Sequence, residues 1–323
     1  MDSIKVREIG SFHVGGQSVT LSGLPVREVR FAQTAPTAPP ARFDPNGEFE
    51  TGQMYVQFVR LAAPTRSLPL LMWHGGGLSG VTWETKPDGQ PGWQDFFMRA
   101  GYDTYVSDAV ERGRASWSRF PEIYPDEPVF RNKKDAWELF RIGPAYRGDA
   151  QARVAFAGGQ FPVAAFDQFM KQNVPRWISS DAATQRAYDA LVDKVCPCVV
   201  VAHSQGANFA LQAALRAPAK VRALVLVEPA GAPDPARADI SALARTPILY
   251  VWGDHLDAHP YWSQQVLPAV RRFHDAHRAA GAVSDWLDLP AAGLRGNSHL
   301  LMMDRSSDAV ARMVDRWIVN HVP

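Results

Sequence analysis

The sequence predicts an α/β fold, in which a mostly parallel sheet is covered by helices on both faces. Short apolar runs alternate with helix-forming segments through the second half of the chain, which is typical of β-α units. The run over residues 221–227 is almost wholly apolar, as expected of a parallel strand buried on both faces. A length of 323 residues favours a single domain, residues 1–323, with one sizeable insertion.

Composition and charge exclude several classes of protein. Apolar residues make up 46% of the chain, charged residues 21%, and the formal net charge is +1, so there is no electrostatic reason to expect a nucleic acid or a membrane surface as partner. No stretch approaches the roughly 18 consecutive apolar residues of a membrane span. Residues 1–7 lack an apolar core, so we expect no signal peptide and a cytoplasmic location for the chain as numbered. A signal removed earlier would leave a periplasmic or secreted location open.

The two cysteines, Cys196 and Cys198, stand on either side of Pro197. A bridge between residues two apart is sterically awkward, so we expect two small, partly buried side chains that enter a strand rather than a disulfide. No histidine or second cysteine pair lies near them in the sequence, so we predict no metal site.

The first third of the chain predicts strands and turns. Gly15 and Gly16 separate two short β patterns and indicate a hairpin. The predicted strands cover residues 11–14, 17–21, 26–31, 54–61, 68–73 and 104–106, and a helix is predicted over residues 94–99.

The character of the chain changes between about residue 117 and residue 190. Aromatic residues become dense, and prolines recur at positions 121, 125, 128, 144 and 162, which is unsuited to regular β-α units. We therefore predict an inserted cap at about 117–190, made of short helices and loops with an apolar underside. Beyond it, predicted strands at 198–202, 221–227, 247–252 and 286–289 alternate with predicted helices at 206–216, 262–280 and 308–321.

Ser204 lies between a predicted strand and a predicted helix, in the sequence Ala202-His203-Ser204-Gln205-Gly206. Small residues two positions before and after the serine permit the tight turn of a nucleophile elbow, which exposes the serine oxygen at a helix N-terminus. The helix dipole there favours developing negative charge. The pattern predicts a serine nucleophile, with His203 pointing away from it, although Ala202 stands where the first glycine is usual.

A glycine run, Gly75-Gly76-Gly77, follows His74 at the end of an apolar strand. Its backbone can pass close to a substrate carbonyl, so the N–H groups of Gly76 and Gln205 are predicted to form an oxyanion hole. No Lys-Ser or Lys-Thr pair follows, which excludes a phosphate-binding loop of the Walker type.

Among nine histidines, His299 lies in a loop after the last predicted strand and before the C-terminal helix, where an elbow fold places its general base. Glu228, Asp254 and Asp257 each satisfy the chain order of serine, acid and histidine. Position alone favours Asp254, which follows the penultimate strand, over Glu228, which ends the strand before it. Either acid would orient His299 and stabilise its imidazolium.

Segments along nearly the whole chain resemble the bacterial α/β-hydrolase esterases of the esterase 713 type. These segments are residues 10–16, 53–57, 82–89, 203–205, 227–229, 253–255 and 297–305. The resemblance implies an eight-stranded sheet with a cap and activity on carboxylic esters. It also implies a glutamate after the sixth strand as the acid, which maps onto Glu228 and decides our prediction for that residue. In the family, adjacent cysteines stand in place of Gly76 and Gly77, so the loop should be more flexible here.

Together these features predict a serine esterase that acts on a small-molecule ester through Ser204, His299 and Glu228 and an acyl-enzyme, with no metal or organic cofactor. Trp83 is predicted to line the substrate pocket, although a buried aromatic is more often plain core. A lactonase, thioesterase or C–C bond hydrolase would use the same groups, and a non-catalytic receptor is disfavoured by the complete triad. The ester and the oligomeric state, a homodimer included, stay open.

Overall fold

The computed structural model describes residues 3–322. The strands in this range are β1 (Val6–Leu21), β2 (Arg27–Val29), β3 (Ala41–Phe43), β4 (Gly47–Leu61), β5 (Leu70–Trp73), β6 (Thr104–Asp108), β7 (Cys198–His203), β8 (Val221–Val227), β9 (Ile248–Trp252) and β10 (Ser284–Asp288). The α-helices are α1 (Val81–Glu84), α2 (Trp93–Arg99), α3 (Lys133–Leu139), α4 (Phe166–Met170), α5 (Asp181–Val195), α6 (Gln205–Arg216), α7 (Leu267–Ala279) and α8 (Ser307–His321).

Eight of the strands form one sheet in the order β1-β4-β6-β5-β7-β8-β9-β10. β1 and β4 pair antiparallel, and β4 is antiparallel to β6, whereas the pairs from β6 to β10 are parallel. The predicted eight-stranded, mostly parallel sheet is confirmed. Because parallel strands end at the same edge of the sheet, the segments after β5, β7, β8 and β9 meet there.

Alternate residues of the central strands supply two apolar layers, one on each face of the sheet. In β7, Val200 and Ala202 belong to the layer formed with α5, α6 and α7. Val199 and Val201 belong to the opposite layer, which includes residues of α2 and α8. This alternation follows from the two-residue period of a strand, and it explains why the central strands are apolar throughout.

The predicted hairpin at Gly15 and Gly16 is wrong, because β1 is one continuous strand. Both glycines have positive φ, 71° and 91°, and pairing with β4 resumes directly after them. Glycine tolerates this backbone without a steric penalty. The two residues therefore bend a long strand instead of reversing the chain.

The prediction for the cysteines is also wrong, because Cys196 and Cys198 are joined in a disulfide. Their Cα atoms are 4.4 Å apart, at the short end of the range that a disulfide spans. Cys196 ends α5 with extended backbone, φ −78° and ψ 153°. A fully extended chain would separate these two Cα atoms by roughly 6.6 Å, so the chain is contracted between the two cysteines, which brings their sulfur atoms together.

The segment between β6 and α5 holds short helices around a buried aromatic cluster, as its composition indicates. The buried aromatic residues are Phe120, Trp137, Phe140, Phe161, Phe166, Phe169 and Trp177. α5 instead packs against α6 and the first two strands of the main sheet, so the end of the range 117–190 belongs to the layer that covers the sheet. The segment's role as a cap stays a prediction. Within residues 3–322, no helix has both the length and the apolar character that crossing a membrane requires.

Candidate active site

Ser204 occupies the turn between β7 and α6 with φ 52° and ψ −116°. This is a sparsely populated conformation for a residue with a side chain, and such strain is common at functional sites. The turn is held because Ser204 donates its N–H to Val227 O at 3.0 Å. The strand-turn-helix arrangement of a nucleophile elbow is therefore present.

The loop after β5, residues 74–77, lies directly against this elbow, and we call it the oxyanion loop. A Cβ on Gly75 would lie 3.0 Å from Ser204 Cβ, and a Cβ on Gly206 would lie 2.6 Å from His74 O. Only glycine fits at either position. His74 braces the loop: its Nε2 accepts from Ala109 N at 3.0 Å and its Nδ1 donates to Gly75 O at 2.8 Å. Burial lowers the pKa of His74 to about 4, so the ring is neutral.

Gly76 lies beside the side chain of Gln205. A Cβ on Gly76 would lie 3.0 Å from Gln205 Oε1. Within residues 3–322, neither backbone N–H donates a hydrogen bond, as is usual for a residue that begins a helix, such as Gln205. The loop is tied down on its other side, where Gly77 O accepts from Val174 N at 3.0 Å. Two unused donors thus lie beside the serine.

His299 and Glu228 are in direct contact. His299 Nδ1 and Glu228 Oε2 are 3.0 Å apart, and both side chains are almost fully buried. His299 Nε2 is buried and has no hydrogen-bond partner in the described part of the chain. Ser204 and His299 are therefore not hydrogen-bonded here, and bonds of this kind often tighten only when substrate binds.

Arg141 holds the other oxygen of Glu228. Its Nη2 is 2.7 Å from Glu228 Oε1, both side chains are fully buried, and Gly253 N donates to the same oxygen at 2.5 Å. Burial raises the pKa of Glu228, but the charge of Arg141 and the hydrogen bond from His299 outweigh it and lower the pKa to about 2. Glu228 is therefore an ionised acceptor.

Rings enclose His299 on three sides. Phe140 stacks on it with centroids 5.4 Å apart, and Trp262 and His203 lie at 4.3 Å and 4.6 Å. His203 Nε2 also contacts His299 O at 2.9 Å, so the expectation that His203 points away from the site is wrong. Burial lowers the pKa of His299 to about 4, although the hydrogen bond with Glu228 raises it. The imidazole is therefore neutral near pH 7, as a general base must be.

Comparison with known proteins bears on the family of this chain and on its fold. A solved bacterial esterase is 33% identical, covers 100% of this chain and 98% of its own, and superposes with a TM-score of 0.84. The chain belongs to the family of bacterial α/β-hydrolase esterases. This chain also resembles a probable secreted lipase, phiG, from Fungal sp. (strain ATCC 74256), at 26% identity over 84% of this chain and 87% of the relative. A family profile for the alpha/beta hydrolase fold matches residues 195–252. This chain is therefore a carboxylic ester hydrolase, and we call it the esterase from here on.

The structure brings some of the predicted residues together and separates others. Ser204, His299, Glu228 and the oxyanion loop converge at the carboxyl edge of the sheet. The carboxylate of Asp254 instead accepts from Gly296 N at 2.9 Å and His255 N at 2.8 Å, and so holds the loop that leads to His299. Trp83 is fully buried, with its ring 5.7 Å from that of Trp93. Its contact with substrate stays a prediction.

Sequence reasoning missed Arg141 and Asp304. Arg141 is one of many arginines in an irregular segment, and nothing in its neighbours marks it. Asp304 is fully buried and accepts from Ser298 N and Ser298 Oγ at 2.8 Å each and from Asn297 Nδ2 at 3.1 Å. It anchors the two residues before His299. Asp304 lies within residues 297–305, one of the segments that resemble the esterase family. The resemblance marked this segment but did not indicate the role of Asp304.

Proposed function

We propose that the esterase cleaves its ester through a Ser204–His299–Glu228 triad and a covalent acyl-enzyme. The observation that supports this most is the 3.0 Å contact between His299 Nδ1 and Glu228 Oε2, together with a His299 Nε2 that has no partner within residues 3–322. An ionised glutamate fixes the tautomer with the proton on Nδ1, which leaves Nε2 basic.

Acylation follows from these positions. His299 Nε2 takes the hydroxyl proton of Ser204 as the oxygen attacks the ester carbonyl and forms a tetrahedral intermediate. The backbone N–H groups of Gly76 and Gln205 donate to its negatively charged oxygen. Collapse of the intermediate breaks the bond to the alcohol, and His299 gives its proton to that leaving oxygen. The product is an acyl-Ser204 ester and a free alcohol.

Deacylation repeats these steps with water. His299 removes a proton from water, the hydroxide attacks the acyl carbonyl, and the proton then passes to Ser204 Oγ as the carboxylic acid leaves. Glu228 stays ionised and stabilises the imidazolium that forms in each half. None of these steps needs a metal or an organic cofactor.

Glu228 is preferred to Asp254 as the acid because of what each carboxylate contacts. Glu228 touches His299, whereas both oxygens of Asp254 accept from backbone N–H groups. Asp254 instead holds the position of the loop that leads to His299, so its loss should lower activity less than the loss of Glu228. A lactonase, thioesterase or C–C bond hydrolase would use the same steps on another bond, and we propose a small carboxylic ester as the substrate.

The test is hydrolysis of p-nitrophenyl esters from acetate to decanoate by the parent esterase and three variants. We expect Ser204→Ala to lower kcat by about 10⁴-fold or more and Glu228→Gln by about 10²- to 10⁴-fold. Asp254→Asn is the matched carboxylate control and should lose less than about tenfold. The chain-length profile would also size the acyl pocket.

Labelling with a serine-directed phosphonate separates the outcomes. If the parent is inert on every ester but Ser204 is labelled, the nucleophile stands and the substrate class is wrong. If Ser204 is not labelled and no ester is cleaved, the alternative of a non-catalytic receptor replaces this proposal. If Asp254→Asn loses more than Glu228→Gln, the acid is misassigned.

A further inference from the structure

Arg176 lies against the oxyanion loop, although the steps above give it no role. Its backbone pairs with Val129 in both directions, at 2.8 Å and 3.0 Å, which fixes its position in the irregular segment. Its Nη1 is 3.6 Å from the point that a Cβ on Gly76 would occupy, and Gln205 Oε1 is 3.0 Å from the same point. A guanidinium therefore lies beside the two proposed oxyanion donors.

The guanidinium of Arg176 has donors to spare. Its Nε is buried and has no acceptor within residues 3–322. Its ion pair with Asp181 is long, 3.4 Å from Nη2 to Oδ2, and the Asp181 side chain is 45% exposed. Asp181 also accepts from Gln205 Nε2 at 3.0 Å. A long, half-exposed ion pair contributes little, about 0–1 kcal/mol, so Asp181 is a weak counterion.

Arg112 is a second, buried arginine that lies within electrostatic reach of Arg176. It is 3% exposed, and its Nε has no hydrogen-bond acceptor in the described part of the chain. The contact with Glu111, 3.7 Å between Nε and Oε1, is too long for a hydrogen bond. Burial lowers the pKa of Arg112 to about 10; the negative charge of Glu111 opposes this shift and the positive charge of Arg176 adds to it. Asp181 and Glu111 each lie against one of these arginines, so it is the unused Nε donor of Arg176, rather than net charge, that favours an additional acceptor at this place.

We propose that Arg176 binds a carboxylate of the substrate, so that the esterase prefers esters with a carboxylate close to the scissile carbonyl. Guanidinium groups bind carboxylates through two parallel hydrogen bonds, which gives geometric specificity as well as affinity. The position of Arg176 Nη1 near Gly76 restricts the distance, because the bound carboxylate must lie only a few bonds from the carbonyl in the oxyanion hole. Arg176 is then a specificity-determining residue, and this inference rests on the proposed function.

The test compares two esters of the same acyl length, p-nitrophenyl hemisuccinate and p-nitrophenyl butyrate. The readout is the ratio of kcat/KM for the anionic ester to that for the neutral ester. We expect Arg176→Gln to lower this ratio by about tenfold or more and Arg176→Lys to lower it less, because lysine keeps the charge but loses the bidentate geometry. Arg147→Gln removes the same charge from an exposed position of the same segment and should leave the ratio unchanged.

Several results would overturn the inference. A parent enzyme that favours the butyrate, or an Arg176→Gln variant that loses both esters equally, would show that Arg176 acts on the loop and not on a substrate anion. A drop in the ratio for Arg147→Gln would reduce the effect to general surface charge. Failure of the proposed function is distinct, because neither ester would then be cleaved in a Ser204-dependent way.

Discussion

At the scale of the residue, the site depends on a buried ion pair, Arg141 and Glu228, that no sequence motif predicts. Arg141 and Glu228 both have positive φ, 56° and 51°, which side chains other than glycine adopt only when their surroundings enforce it. Arg141 Nε also donates to Asp254 O at 2.8 Å. The guanidinium therefore joins the strand that ends at Glu228 to the loop after β9, and it keeps the glutamate ionised against the cost of burial.

Removing this charge should shift the acid limb of activity. Activity requires neutral His299, whose pKa is about 4, so kcat/KM of the parent should stay near its maximum down to about pH 5. Loss of Arg141 raises the pKa of Glu228 and of His299, because its positive charge lowers both. We expect the acid limb of Arg141→Gln to move up by about 1 pH unit or more, as measured in pH profiles of kcat/KM.

Arg141→Lys and Arg295→Gln are the controls for this shift. Lysine keeps the charge, so the acid limb of Arg141→Lys should stay close to that of the parent. Arg295 is exposed in the loop that leads to His299, so Arg295→Gln removes a charge of the same sign and should leave the acid limb in place. An unmoved limb in Arg141→Gln would show that the guanidinium does not set the protonation of the site. Thermal melts of each variant distinguish that result from unfolding, since an unpaired buried charge destabilises strongly.

The sequence predicted the residues of the site whose chemistry depends on local pattern. Ser204 and Gly206 belong to a five-residue turn that constrains residue size, and His299 follows from chain order. Arg141 and Asp304 could not be found this way, because they act through contacts 87 and 6 residues away along the chain. Such contacts arise only when the irregular segment and the last loop fold against the sheet.

At the scale of the element, three loops at one sheet edge assemble the site around the end of α3. Phe140 O accepts from His299 N at 2.9 Å, and Leu139 O accepts from Trp262 Nε1 at 2.6 Å. Trp262 lies in a π-helical turn, Tyr261–Val266, that leads into α7, where the sequence predicted regular helix. A π turn widens the helix locally, and such turns are frequent at functional sites.

A substitution at Gly75 in the oxyanion loop gives the strongest prediction at the scale of the element. An alanine at Gly75 would place its Cβ 2.7 Å from His203 Nδ1 and 3.0 Å from Ser204 Cβ, and neither neighbour can move because both are packed in the elbow. The loop must shift instead, and the N–H of Gly76 would shift with it. We expect Gly75→Ala to lower kcat by about 10²- to 10³-fold, the typical cost of one lost oxyanion donor.

Gly148→Ala is the matched control, because a Cβ there meets no atom within 4 Å. Its kcat on the same p-nitrophenyl ester should equal that of the parent. If Gly75→Ala also keeps its kcat within about twofold, the oxyanion loop does not supply a donor. Far-ultraviolet spectra of both variants would show that the fold is retained.

At the scale of the whole molecule, apolar patterning fixes the fold, and buried titratable groups set its pH dependence. The period of the central strands predicted both apolar layers, but no pattern could predict which histidines are buried. Burial lowers the pKa of His74 and His299 to about 4 and lowers those of His203 and His277 as well. Burial acts oppositely on Asp304, whose pKa it raises to about 7.

These shifts predict that the esterase loses stability between about pH 6.5 and pH 4. A histidine whose pKa is lowered on folding binds a proton more readily when unfolded, so its contribution is complete above pH 6.5 and declines as the pH falls towards 4. Glu228, with its pKa lowered to about 2, adds a loss that begins below its ordinary pKa of about 4.5. Asp304 and Glu111 work against this trend, because burial raises their pKa values and so makes the folded state more stable at the lower pH, but they are two groups against five histidines of lowered pKa.

Urea unfolding at about pH 7 and about pH 5 measures this dependence as a difference in unfolding free energy. We expect a lower value at pH 5, and a smaller difference between the two pH values in His74→Gln, which removes one of the buried histidines whose pKa is lowered. The variant will be less stable at both pH values because the glutamine cannot brace the loop equally, so the difference is the quantity to compare. His13→Gln changes an exposed histidine of β1 and should keep the parent's difference. An equal difference in His74→Gln and the parent would mean that His74 does not titrate with unfolding, and the acid sensitivity would then lie with the groups around Glu228.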